Sequence, residues 1–113
     1  MTDAVVDFSG ERLVRLAPER PIALEPADRD YILAALSALG AAFPGQVASP
    51  PPLGALPARA VMRLLVDLRR LRPVEPTAEQ RTALGALAGA ISLFHNACAF
   101  ALARERAAGP RRD

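Results

Sequence analysis

The 113 residues predict a single small α+β domain, mainly helical, in which an N-terminal β-hairpin precedes three helices; three observations carry that reading. The apolar content, 51%, comes largely from Ala and Leu, and Ala combines the best helix propensity with the smallest side chain that still buries. Apolar residues recur at three- and four-residue steps along three segments. Near the N-terminus, two short apolar runs flank a glycine. A chain of this length supports one core, so residues 1–113 form one domain.

The hairpin is predicted from Ala4-Val5-Val6-Asp7-Phe8 and Arg12-Leu13-Val14-Arg15-Leu16, with Gly10 between them supplying the backbone freedom of a tight reversal. Ile22-Ala23-Leu24, between Pro21 and Pro26, reads as a short extended edge segment. Pro26 and Asp28 then open a first helix over 26–43, since proline is pre-set for the first helical position and early acids complement the macrodipole. Its apolar stripe is Ile32, Ala35, Leu36, Leu39 and Phe43, and Pro44-Gly45 stops it. Residues 44–57 hold five prolines and two glycines and read as a stiff connector.

A second helix is expected over 58–72, with Val61, Leu64, Leu65, Leu68 and Leu71 facing the core, an Arg63–Asp67 pair, and an end at Arg72-Pro73. Thr77-Ala78-Glu79-Gln80 matches a capping box and starts the third helix, 77–108, which is long, apolar and central; Gly109-Pro110 closes it and 109–113 form a frayed tail. At a rise of about 1.5 Å per residue, that helix measures about 45 Å. A compact domain of about 100 residues has a radius of gyration of about 13 Å. The helix should therefore overhang its own domain.

No residue between Ala83 and Ala103 is charged. Leu84, Leu87, Ile91, Phe94 and Cys98 step along one side at the spacing of helix pairing. Gly85, Gly89, Ser92 and Asn96 step along another, and two glycines inside a helix, each costing up to about 1 kcal/mol against Ala, imply that something approaches the backbone closely. These nine residues are the expected interface of a homodimer or other protein partner. A membrane span is the weaker reading: Arg81 and Arg104 bracket a stretch of sufficient length, but His95 and Asn96 lie within it and no Trp or Tyr flanks it.

The remaining chemistry is sparse. His95 is the only histidine, and with Ser92, Asn96 and Cys98 it defines a possible ligand pocket; yet no carboxylate lies on the helix between Glu79 and Glu105 to orient a general base. One His and one Cys do not make a metal set without carboxylates, and no cofactor is expected. All 14 basic residues are Arg. Residues 1–57 carry four Arg against seven acids, net −3, and residues 58–113 carry ten against five, net +5, an asymmetry that suits attraction between the halves better than an anionic partner. Arg59, Arg63 and Arg70 share one face of the second helix and are the candidate anion-binding residues, although a net charge of +2 argues against nucleic acid. The N-terminus lacks the basic start and apolar run of a signal peptide, and a single cysteine suits a reducing compartment, so a cytoplasmic location is expected.

The function expected from these features is that of a non-catalytic, oligomeric accessory subunit acting through helical protein–protein interfaces. A small-molecule or cofactor-binding protein, an enzyme subunit included, with a pocket around His95 is the alternative. A nucleic-acid regulator acting through the Arg-rich helix is the third.

Overall fold

The computed structural model describes residues 4–49 and 52–108, and these are all-α. The order is α1 (Ala4–Leu16), α2 (Pro26–Ala42), α3 (Ala58–Asp67) followed by a 3-10 turn (Leu68–Arg70), and α4 (Ala78–Ala108). No strand is present among the described residues. The expected α+β class and its N-terminal hairpin are thus overturned: the segment is helix α1, and Ser9-Gly10-Glu11 run through its middle. Gly10 serves packing instead of reversal, because a Cβ there would stand 3.1 Å from Cγ1 of Val66 on α3. The buried positions behind it, Val14 and Ala17, follow Gly10 at helical and not alternating spacing.

Residues 22–24 are irregular, not an edge strand, and anchor on buried Ile22. Helix α2 runs nearly as expected, and all five residues of its stripe are buried. Helix α3 is shorter than the predicted 58–72. Its last turn tightens to 3-10 before the extended residues that Pro73 requires, with the Leu71 N–H bonding Leu68 O at 3.1 Å. The proline-rich connector is irregular where described and tucks Leu53 into the core; Pro50, Pro51 and the expected frayed tail, 109–113, lie outside the described residues.

Helix α2 lies along α4, α1 lies on α3, and α3 touches α4 to join the two pairs. The core sits where they meet: Ile32 and Leu39 from α2, Val61, Met62 and Leu65 from α3, and Leu87 and Phe94 from α4 are almost wholly enclosed. Its side chains are chiefly Leu, Ile and Ala, so helices approach closely.

One polar clip fixes α1 against α3. The Arg59 guanidinium donates to the Ala17 carbonyl (3.0 Å) and the Arg15 carbonyl (3.0 Å), and pairs with the Glu19 carboxylate. A cation thus satisfies carbonyls left open at the C-terminal end of α1. In return, the N–H groups of Ala58 and Arg59 donate to Arg20 O and Pro18 O, both at 2.8 Å. Helix α3 starts after Pro57, which provides no side-chain cap, and these carbonyls take that role.

The molecule is flattened and elongated, 58 × 40 × 18 Å, with a radius of gyration of 15.5 Å. A compact domain of this size gives about 13 Å. The difference matches α4, whose 31 residues span about 46 Å.

Candidate functional site

Helix α4 begins at the capping box its sequence predicts. The Thr77 N–H donates to Gln80 Oε1 and the Gln80 N–H donates to Thr77 Oγ1, both at 3.0 Å. The Gln80 amide also donates to Ala42 O (3.2 Å), tying this start to the end of α2. Strong helix formers carry the helix from there, and no proline interrupts it before 108.

Around α4 the nine expected interface residues divide. Leu87, Ile91, Phe94 and Cys98 are spent on the protein's own core, and Leu84 is half-buried beside them. The close approach foreseen for the glycine stripe is intramolecular at Gly89, where a Cβ would stand 2.5 Å from the Tyr31 hydroxyl on α2. At Gly85 a Cβ would meet nothing within 4 Å. Gly85, Ser92 and Asn96 are exposed, and Ala88, Ala99 and Ala103 extend the same uncovered face. Sequence reasoning groups Ala99 with Ser92 and Asn96 but misses Ala88 and Ala103; Gly85, Ser92 and Ala99 recur at seven-residue steps, and that was the available signal. Phe100 flanks the face, 64% exposed, with the Arg104 guanidinium 5.8 Å from its ring centroid. The most apolar 18-residue window of α4 has a mean hydropathy of 1.6, yet only 28% of it is buried.

The possible ligand pocket does not assemble. Ser92 and Asn96 are exposed, His95 is half-buried, and Cys98 points into the core, so the four spread around the helix. Burial pushes the Cys98 thiol up to about 11, where it is a protonated core hydrophobe and not a nucleophile. Asn96 alone of the four lines a groove of about 780 Å³ between α4 and residues 20–28, whose rim carries the Arg20–Glu105 bridge (2.5 Å). Among the described residues, no three His, Cys, Asp or Glu side chains gather as metal ligands.

The candidate anion-binding arginines divide too. Arg59 is committed to the α1 clip, and Arg63 bridges Glu11 on α1 at 3.2 Å instead of forming the expected pair with Asp67. Both acids belong to the negative first half of the chain, so the charge asymmetry is used to hold α1 on α3. Among the described residues Arg70 makes no such ion pair. No protein-family model, curated protein or solved structure matches the chain.

Proposed function

We propose that the protein is a non-catalytic accessory protein that self-associates through the uncovered face of α4. The observation that supports this is the 28% burial of an apolar window in a helix too long for its own domain. A helix apolar on all sides requires cover on all sides in water, and α2 and α3 cover only part of this one. Gly85, Ala88, Ser92 and Ala99 give the open face small side chains at heptad-like steps, a pattern that lets a second helix come close. The same length and hydropathy suit a bilayer, and that reading makes a different prediction in solution.

Light scattering and native mass spectrometry of the protein in detergent-free buffer test the proposal. A dimer at micromolar concentration is expected, and Ser92→Arg, on an exposed position, should convert it to monomer with unchanged helical circular dichroism. A wild-type monomer would overturn the proposal. Recovery of the wild-type chain only in detergent would favour the membrane reading.

A further inference from the structure

Arg20, Arg59 and Arg63 are each paired with a carboxylate, and the Arg81 guanidinium donates to Pro76 O at 2.9 Å. Among the described residues Arg29 and Arg106, like Arg69, Arg70 and Arg72, make no side-chain ion pair or hydrogen bond, but only the last three lie close together in sequence, just after α3. The acids nearest in sequence, Asp67 and Glu75, are exposed and do not bridge to them. Three neighbouring cations without a counter-charge repel one another.

Beside them lies a hollow of about 300 Å³, bounded by the end of α2, the 3-10 turn and the first turn of α4. Arg70, Arg72 and Gln46 are among its polar lining residues, and Phe43 and Leu71 among its apolar ones. Gln80, from the first turn of α4, also lines it. We infer that this hollow binds a phosphoryl group. Guanidinium forks match phosphate oxygens two at a time, and a dianion answers the local excess of charge better than a single carboxylate does. The volume is at the lower bound of small-molecule sites, enough for a phosphate ester and too small for a helix or a duplex. The anion site thus lies beyond the C-terminal end of α3, past Arg59 and Arg63, which the fold uses for itself. A phosphate ester in solution and a phospholipid headgroup present the same chemistry.

Calorimetric titration of the full chain with inorganic pyrophosphate at low salt tests the site, with sulfate as a second anion and flotation with phosphatidylglycerol vesicles as the lipid arm. Binding of pyrophosphate or vesicles is expected, weakened about tenfold per arginine in the Arg70→Ala/Arg72→Ala variant. Arg106→Ala, in the last turn of α4, should leave it unchanged. Binding to pyrophosphate assigns the site to soluble esters, and binding to vesicles alone assigns it to headgroups. No binding in either arm, or equal binding by the double variant, would overturn the inference.

Discussion

The Tyr31 hydroxyl reaches to within 2.5 Å of the point where a Cβ on Gly89 would stand, and the ring's Cζ follows at 3.2 Å. This contact is the closest approach of α2 to α4 at any described glycine, and it explains a residue that weakens an isolated helix. Tyr31 is 44% exposed, so its ring has room to swing outward, and two effects of Gly89→Ala compete. Ala gains up to about 1 kcal/mol of helix propensity, while overpacking against a fixed ring costs about 1–3 kcal/mol. In a Tyr31→Ala background only the gain remains. Denaturant unfolding of the four proteins of this cycle should show Gly89→Ala stabilising without Tyr31 and neutral or destabilising with it, a coupling of about 1–2 kcal/mol. Additive effects would show that the ring does not constrain position 89.

Arg59 is the residue whose loss should damage the fold most among the charged side chains. Arg59→Ala leaves the Arg15 and Ala17 carbonyls and Glu19 without their shared donor. A loss of about 1.5–3 kcal/mol is expected from urea unfolding, because the bonds are charge-assisted but the site is partly open to water. Arg59→Lys should recover little of it, since one ammonium does not span two carbonyls and a carboxylate as the planar fork does. Full rescue by Lys would reduce the clip to a charge effect.

Cys98 supplies a pH-dependent stability of defined sign. Burial raises its pKa from 9.0 to about 11, because the thiolate loses its hydration in the core. The folded state therefore holds the proton more tightly than the unfolded state does. The contribution is fully present below pH 9.0 and is lost as the pH rises from there toward about 11. Cys98→Ala should flatten the fall in unfolding free energy across that window, at the cost of a small cavity. At pH 8 the native thiol should resist iodoacetamide and react on addition of denaturant; prompt native labelling would contradict its burial.

The misread N-terminus shows where local information fails. Gly10 flanked by apolar runs has two physical uses, a reversal of the chain and a gap into which another helix fits. Only the position of Val66, 56 residues later in the chain, distinguishes them. The expected interface residues divide for a related reason. Spacing places Leu87, Phe94 and Cys98 on one side of α4 and Gly85, Ser92 and Asn96 on another, but it cannot say which side the rest of the chain covers. The sequence puts Arg59, Arg63 and Arg70 on one face, and the partners that separate Arg59 and Arg63 from Arg70, Glu11 on α1 and Glu19 just after it, come from far away in the chain.

By itself the sequence determined what rests on neighbouring residues: the Thr77–Gln80 capping box, the proline-led start of α2, the stop before Pro73, and an apolar α4 too long for its own domain. These depend on dihedral preference, local hydrogen bonding and periodicity, all of which act within a few residues. Tertiary structure alone decided that the first segment is helix, that Gly89 accommodates Tyr31, that the Leu-Ile-Phe seam is core, and that the small-residue face of α4 stays open. Each of these depends on which surfaces meet across the chain, because burial and close approach are properties of pairs of elements and not of either element alone.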